Sequence, residues 1–488
     1  TDYNSLRFNN QAGGRFVKAA GLGNAVVVDT AFLNRGEIRV ESGGLQFHSL
    51  LLEDGNRLTG NGGDLATYNG RIEFRGQTII DQGQLLLVDG TFHGEPNSSI
   101  TTTNGGLVQW HGSTLSGNVE LSQGSAMHVL GNSLRTFAGG ALFRNRGNIL
   151  WFDNGGFYNF AYFPAEQATF DNYGTLLILG NGRFDYSYHP SLFRNREGAS
   201  VIKWGGTNVT DFNWSFDNAG ELVTTNGIVS LNTGGSSTGL FQADNQSTIR
   251  FNGGVHTLNN GSRFAGAGKL LLESGTLRRA GMISSDVSKP ATLEITAGSF
   301  DGTGALTGPM TVNWANGTIS GVLDVGANVT VNALTVSAKS LYAAAFNNSG
   351  TFNWYSGAIY SYAYNLSERS VFNNLSGGVF NIAGDGNIFD VAYSSSSFTN
   401  HAGGVIRKSA GWGTSVLDDF EFSNAGEVRV DTGTLRSQAN LVIEPGAAFT
   451  GAEGTFTFSG NTLAKTPLLS SINLTLDSGT LTGATNVD

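Results

Sequence analysis

The residues best suited to chemistry in this chain are acidic and basic side chains close together in the sequence. Asp418 and Asp419 are adjacent, and Arg407 and Lys408 precede them by about ten residues. Enzymes that cleave acidic polysaccharides need clustered carboxylates, or a Ca²⁺ site beside an Arg or Lys base. The pattern therefore raises a polysaccharide lyase or hydrolase as one hypothesis.

A second copy of this segment elsewhere in the chain weakens the enzyme hypothesis. The matching segment has Thr210 and Asp211 in place of the acid pair, and Lys203 in the region of Lys408. A lysine that recurs without the acid pair is typical of a structural charge at a turn. Because a fold alone does not imply an activity, we predict no catalytic residue and a protein that is not an enzyme.

Residues that would hold a metal or cofactor are sparse. The 7 histidines are scattered, and the absence of cysteine excludes thiolate metal sites and disulfides. The Ca²⁺-binding nonapeptide repeat is absent. GAGKL, from Gly266, lacks the Ser or Thr that follows the lysine of a phosphate-binding loop. We expect no cofactor and no metal.

Aromatic residues alternate along two short runs. They are Tyr158, Phe160 and Tyr162, and Tyr360, Tyr362 and Tyr364. In a strand, alternate side chains share one face. These rings could form an exposed platform for sugar rings. The competing interpretation makes them the core-facing stack, with Asn159, Ala161, Ser361 and Ala363 outside. We favour burial, because large aromatic faces are usually buried.

The elements that must position these residues are short strands. The chain has 70 Gly, 32 Phe and 14% charged residues, a composition typical of all-β proteins dense in tight turns. Apolar runs such as LLIL, from Leu176, are bounded by Asn-Gly or Gly-Gly pairs and leave no room for helices. Such turns also suit antiparallel hairpins, which are the main alternative.

A repeat decides between these two architectures. Phe-x-Asn, followed by Gly two or three residues later, recurs with neighbours 23 to 27 residues apart, a spacing that suits one coil of a right-handed parallel β-helix. Parallel stacking would place like residues about 4.8 Å apart, with Asn amides hydrogen-bonded from coil to coil. The predicted ladder is Phe170, Phe193, Phe216, Phe346, Phe372, Phe398 and Phe422, with Asn172, Asn195, Asn218, Asn374, Asn400 and Asn424.

A longer sequence repeat of about 185 to 205 residues groups the coils into larger units. FRNREGASVIKW, from Phe193, matches FTNHAGGVIRKS, from Phe398, and a weaker copy starts at Phe8. We predict one continuous β-solenoid over residues 1–488, with internal units at about 8–192, 193–397 and 398–488, the last incomplete.

These repeats resemble bacterial surface proteins: autotransporter passengers, filamentous-haemagglutinin-like adhesins and giant cell-surface β-helix proteins. The resemblance rests on FDNAGEL, FSNAGEV, LDSGTLTG and GAGKLLLESGTL and covers nearly the whole chain. It implies a secreted or cell-surface location and a structural or adhesive role, with surface glycans or matrix as contacts.

Charge and hydropathy limit the classes of partner that the protein can bind. The net charge of -10 opposes binding to nucleic acid, and no run approaches the roughly 20 apolar residues that span a bilayer. No capping element is recognisable at either end of the repeats. We therefore expect head-to-tail self-association into a fibre, with backbone hydrogen bonds across the coil ends. Glycan binding by exposed aromatics is the alternative function.

Overall fold

The chain is all-β. The computed structural model describes residues 6–61, 63–363, 365–391, 396–467 and 470–483. Parallel strands stack as a β-solenoid of about 21 turns, which confirms the predicted fold class. The antiparallel-hairpin alternative is wrong, because strands of successive coils pair in parallel. The helices described, Pro164–Glu166 and Leu366–Glu368, are single 3-10 turns, and none in the described part is long and apolar enough to cross a membrane.

By its internal contacts the chain divides into two compact units, Thr1–Ile249 and Arg250–Asp488. The repeat boundaries expected near residues 193 and 398 stay a prediction. The strands of unit 1 are β1 Leu6–Asn10, β2 Arg15–Lys18, β3 Asn24–Asn34, β4 Glu37–Val40, β5 Gly44–Leu52, β6 Asn56–Gly60, β7 Asp64–Phe74, β8 Gln77–Asp81, β9 Gln84–Leu87, β10 Thr91–Gly94, β11 Ser99–Thr103, β12 Leu107–Trp110, β13 Thr114–Leu121, β14 Ala126–Val129, β15 Arg135–Asn145, β16 Asn148–Trp151, β17 Gly156–Ala161, β18 Thr169–Asn172, β19 Thr175–Ile178, β20 Arg183–Tyr188, β21 Leu192–Asn195, β22 Ser200–Lys203, β23 Val209–Phe212, β24 Ser215–Asn218, β25 Glu221–Thr224, β26 Ile228–Leu231, β27 Gly234–Ser237 and β28 Leu240–Ala243.

Strand β29, Thr248–Asn259, runs across the division in the sequence. The strands that follow are β30 Arg263–Ala265, β31 Lys269–Ala280, β32 Ile283–Ser285, β33 Ala291–Ile295, β34 Ser299–Thr307, β35 Met310–Trp314, β36 Gly317–Val325, β37 Val329–Ala333, β38 Lys339–Asn348, β39 Thr351–Trp354, β40 Ile359–Tyr362, β41 Val371–Asn374, β42 Val379–Ile382, β43 Asn387–Asp390, β44 Ser397–Asn400, β45 Val405–Lys408, β46 Thr414–Asp418, β47 Glu421–Asn424, β48 Glu427–Val430, β49 Thr434–Ser437, β50 Leu441–Ile443, β51 Ala448–Thr450, β52 Thr455–Phe458, β53 Thr462–Ala464, β54 Asn473–Leu476 and β55 Leu481–Gly483.

Successive strands of one coil enter different stacks of strands. In unit 1, β17, β20 and β23 pair in one stack, called sheet A here. The strands β18, β21 and β24 form sheet B, and β19, β22 and β25 form sheet C. Unit 2 repeats the pattern: β41, β44 and β47 match sheet B, and β42, β45 and β48 match sheet C.

The core lies inside the coils, where alternate residues of each strand point. In β19, Leu176 and Ile178 are buried while Thr175 and Leu177 lie on the outer side. The glycine of the Phe-x-Asn motif is required at the corner that follows, because the backbones of successive coils nearly touch there. A Cβ on Gly174 would lie 2.1 Å from the carbonyl oxygen of Gly147.

The weaker repeat that begins at Phe8 is out of phase with the other copies. Phe8 pairs with Phe32, in the stack that continues through β5 and β7 towards sheet A, whereas Phe193 lies in sheet B. The sequence match between these two segments therefore does not place them in the same sheet. The motif can serve at more than one corner of the coil, because its hydrogen bond is local: Asn34 donates to the carbonyl of Gly36, and Asn172 donates in the same way to that of Gly174.

Candidate functional site

The predicted phenylalanine and asparagine residues of unit 1 lie together in sheet B. Phe170, Phe193 and Phe216 are at most 2% exposed, and their ring centroids are 5.0 and 5.2 Å apart from coil to coil. Beside them, the side-chain amide nitrogen of Asn172 donates to the amide oxygen of Asn195 at 2.9 Å, and Asn195 donates to Asn218 at 2.8 Å.

Unit 2 builds a second ladder with clearly defined ends. The rings of Phe346, Phe372 and Phe398 stack at 4.7 and 4.8 Å, and Phe422 meets Phe398 edge-on at 5.8 Å. A further member, Asn348, precedes the predicted amides.

Each amide of this second ladder donates to the next at 2.7 to 2.9 Å, in the order Asn348, Asn374, Asn400, Asn424. Within the described residues, the first oxygen, Oδ1 of Asn348, and the last nitrogen, Nδ2 of Asn424, have no hydrogen-bond partner. The amide chain therefore has a direction.

The alternating aromatics of unit 1 point outwards, so the favoured interpretation of a core-facing stack is wrong. Phe160 and Tyr162 are 50% and 58% exposed, while Asn159 and Ala161 are buried. The preceding residue, Phe157, sets this register by stacking inside the coil on Phe184 of the next coil at 4.8 Å. The amide nitrogen of Asn159 is bonded inside the coil, donating to Ser191 Oγ at 2.7 Å and to the carbonyl of Glu166 at 3.1 Å.

Polar groups border these outward rings. The Tyr158 hydroxyl hydrogen-bonds Ser187 Oγ, and the Tyr158 ring lies 4.6 Å from that of Phe160. Asp185, in register with Tyr158, accepts from the Asn213 amide at 3.2 Å. Tyr162 contacts Tyr188 with ring centroids 4.6 Å apart. Aromatic faces beside carboxamide and carboxylate groups have the composition of a site for hydroxyl-rich ligands.

The aromatics of unit 2 also lie on the outer side, but their faces cover one another. Tyr360 stacks on Phe389 of the next coil at 5.3 Å and on Tyr362 at 6.0 Å. The residues between and after them, Ser361 and Ala363, are buried. Tyr364 lies outside the described residues. Burial was expected for this run also, and that expectation is wrong for Tyr360 and Tyr362.

The lysines weighed as bases lie at coil corners. Lys203 is fully buried, and its ammonium donates to the carbonyls of Gly180 and Gly205 at 2.9 and 3.1 Å and to Thr210 Oγ1 at 3.0 Å. Burial lowers the pKa of Lys203 to about 8.

Lys408 repeats this arrangement in unit 2. Its ammonium binds the carbonyls of Gly384 and Ala410 at 3.1 and 3.2 Å, Ser415 Oγ at 3.1 Å and Asp385 Oδ1 at 2.8 Å. The two lysines therefore have the same structural role in their copies of the repeat, because each joins the corner loops of successive coils.

The acid pair lies at the end of β46. Partial burial, together with the neighbouring charge of Asp419, raises the pKa of Asp418. Partial burial also raises the pKa of Asp390, where Asp419 again contributes. Among the described residues, no group of three or more His, Asp or Glu side chains is placed to hold a metal ion.

One feature was not predicted from the sequence: an apolar row lies on the outer side of sheet C in unit 1, beside a polar row of Asn148, Thr175, Ser200 and Glu221. Leu150, Leu177, Ile202 and Val223 lie there, partly exposed, at positions that alternate with buried residues. The sequence contained a signal for this row. Runs such as LLIL are apolar at consecutive positions, and because alternate residues of a strand face opposite sides, one aliphatic residue must lie outside. In the sequence analysis, such runs were used only to predict strands.

Comparison with known proteins gives no family assignment: no family model, no curated protein and no solved structure matches the chain.

Proposed function

We propose that this protein is a non-enzymatic, extracellular structural or adhesive β-solenoid, serving as a subunit or segment of a surface or matrix fibre. The observation that carries the proposal is what the repeated residues do. The Phe and Asn that recur through the sequence hold coils together, and the recurrent lysines hold corners. The repeats are therefore accounted for by architecture. The resemblance to bacterial surface proteins supports the extracellular location.

Head-to-tail self-association is the assembly that we propose for the fibre. Its support is the pairing of like coils: Phe8 pairs in parallel register with Phe32 of the next coil, and Phe193 pairs with Phe216 in the same way. Because each coil offers its neighbour the same backbone pattern, a coil from a second copy can extend the parallel pairing.

Electron microscopy and sedimentation test this assembly. The wild-type chain should form filaments, and its mean mass should rise with concentration. Phe8→Arg should lower filament formation at least tenfold, because it places a charge in the joint between coils. Arg7→Ala, on the adjacent outer position of the same strand, is the matched control. A wild-type chain that stays monomeric at high concentration, with no filaments, would refute the proposal.

Glycan binding is a second candidate function, supported by the outward aromatics of unit 1. Phe160, Tyr162 and Tyr188 are all at least 50% exposed beside hydroxyl and carboxylate groups. A glycan array with the wild-type chain, Phe160→Ala and Tyr162→Ala tests it. Stacking on an aromatic ring predicts a loss of at least tenfold in affinity for each variant. Tyr355→Ala, which removes an exposed tyrosine in unit 2, is the control and should leave the affinity unchanged.

A further inference from the structure

Two apolar rows lie on the outer side of sheet C in unit 1, beside a polar row formed by the first residues of the same strands, Asn148, Thr175, Ser200 and Glu221. The first row lies on the strands: Leu150, Leu177, Ile202 and Val223 are in register over four successive coils. All four are partly exposed, because their strands turn the alternate residues, such as Trp151 and Ile178, into the core.

The second row begins where these strands end. Phe152, Leu179 and Trp204 each follow the last strand residue of their coil, and Phe152 and Trp204 are 42% and 62% exposed. The backbone holds the row in order: Leu179 N–H donates to the carbonyl of Trp151 at 2.7 Å, and Trp204 N–H to that of Ile178 at 2.9 Å. The two rows together are called the apolar face below.

The matching strands of unit 2 show that the fold does not require an apolar face. Their buried residues keep the same character, with Trp354, Ile382 and Lys408 at the positions of Trp151, Ile178 and Lys203. Their outer residues differ. At the positions of Leu150, Leu177, Ile202 and Val223, unit 2 has Asn353, Asn381, Arg407 and Arg429.

The polar residues of unit 2 form hydrogen bonds and ion pairs along their rows. The amide of Asn381 donates to that of Asn353 at 3.0 Å, and Arg407 and Arg429 share Asp431 at 2.7 and 2.8 Å. The same backbone thus accepts a polar outer face. An apolar face that the architecture does not need, and that costs free energy when left in water, marks an interaction surface.

We propose that the apolar face binds the same face of a second copy of this chain, sheet against sheet. Three properties favour that occupant. The rows repeat with the coil spacing of about 4.8 Å, which the side chains of another in-register parallel sheet can match and interdigitate with. A two-fold contact places each apolar row against an apolar row.

The third property is charge. Each copy carries a net charge of -10, so two copies repel each other at most orientations. The apolar face has no charged side chain in either row, and on these four strands Glu221, at the start of β25, is the charged residue on the outer side, so contact there brings few like charges together. This lateral contact is separate from the head-to-tail joint at β1 and goes beyond the proposed function.

The size of the face sets the strength of the contact. Four strands about 4.8 Å apart carry the first row and three of them the second, which gives on the order of 300 Å² per copy, well below the roughly 800 Å² per partner of a stable interface. The pairing of single chains should therefore be weak, with a dissociation constant on the order of 10⁻⁴ M. Many such faces along a fibre would bind together through multivalency.

The test exchanges outer residues between the two units. In a Phe8→Arg background, which removes the head-to-tail joint, sedimentation is measured from about 5 to about 500 µM, a range that brackets the expected constant. The parent should show a rising mean mass. A triple variant, Leu150→Asn, Leu177→Asn and Ile202→Arg, takes its residues from matching positions of unit 2 and should stay monomeric, with an unchanged circular dichroism spectrum.

A reverse exchange is the matched control. Adding Asn353→Leu, Asn381→Leu and Arg407→Ile to the triple variant should restore part of the concentration dependence through a new apolar row. The inference is overturned if the triple variant associates like its parent, or if the parent is monomeric throughout. Binding of phosphatidylcholine vesicles or of a neutral polysaccharide that the triple variant loses, with the parent monomeric, would identify a lipid or glycan occupant instead. Filaments of the wild-type chain test the head-to-tail joint independently.

Discussion

At the scale of single residues, buried asparagine amides act as both donors and acceptors, and the direction of their chain makes otherwise identical substitutions unequal. In Asn374 the amide nitrogen donates to Asn400 Oδ1 at 2.9 Å and also to the carbonyls of Val405 and Gly378. In Asn424, which is equally buried, the nitrogen has no partner among the described residues.

Asn374→Asp should therefore destabilise the protein more than Asn424→Asp does. At position 374 the new oxygen would face acceptors, which should cost on the order of 1–3 kcal/mol beyond the cost of burying the charge. At position 424 the remaining oxygen would still accept from Asn400 at 2.7 Å, and no donor bond is lost. Urea unfolding midpoints at neutral pH measure the difference. Equal shifts would show that the ladder bonds contribute nothing.

Lys203 gives the protein a measurable pH dependence. Its pKa is about 8 in the folded chain and 10.5 as a free side chain. Between these values the unfolded chain binds more protons, so stability rises with pH. The free energy of unfolding of the wild type should increase, relative to Lys203→Met, by on the order of 1–3 kcal/mol from pH 8 to 10.5. Urea titrations at both pH values check it, and parallel curves would contradict it.

At the scale of strands, outer positions in register form rows whose composition matters. In sheet B of unit 1 the row alternates in sign: Arg144, Asp171, Arg194 and Asp217 follow one another from coil to coil. Asp171 is only 4% exposed, and Arg196 also donates to it at 2.8 Å. Parallel stacking places like positions together, so alternation of sign prevents a column of repelling charges.

Asp171→Arg should reverse this effect. It would place three arginines on successive coils and lower the free energy of unfolding by on the order of 2 kcal/mol or more at low salt. Added salt should recover part of the loss. Thr399→Arg is the control, because the neighbours of Thr399 in the matching row of unit 2 are Asn373 and Ser423. Equal losses in both variants, insensitive to salt, would show that charge alternation is not the cause.

The sequence predicted which residues form strands better than it predicted which side of each strand points into the coil. A repeat near 25 residues was sufficient for the parallel coil, and Phe and Asn at fixed offsets were sufficient for the ladders. Alternation shows which residues share a face but not which face is inside. Whether Tyr158 and Phe160 point inwards or outwards depends on Phe157, the residue before Tyr158, whose ring stacks inside the coil on Phe184. That contact joins residues of different coils and is not visible in the local pattern.

The repeat motif itself also limits prediction. Phe-x-Asn-x-Gly forms a corner wherever two coils approach closely, so it could not show that Phe8 belongs to a different stack from Phe193. Likewise, the exposed aliphatic residues of sheet C satisfy the same strand propensity as buried ones. Their position could be assigned only once Ile149, Leu176 and Val201 were known to face the core.

At the scale of the whole molecule, each coil contacts mainly the coils before and after it, so perturbations should remain local. In a stack of this kind stability is a sum of coil and neighbour terms, and parts of the chain can open without the rest. The Asn374→Asp variant removes a bond between β41 and β44. The coil that contains β52, further along unit 2, loses no bond.

Hydrogen exchange measured by mass spectrometry tests this locality. In Asn374→Asp, amides of β38, β41 and β44 should exchange faster by about tenfold for each 1.4 kcal/mol lost, because opening of these coils becomes easier. Amides of β52 should exchange at the wild-type rate. Asn424→Asp is the matched control, in which β38 and β41 should be unaffected. If exchange instead accelerates equally in all strands of unit 2, the unit opens as one cooperative body, and the ladders then stabilise the whole unit rather than successive pairs of coils.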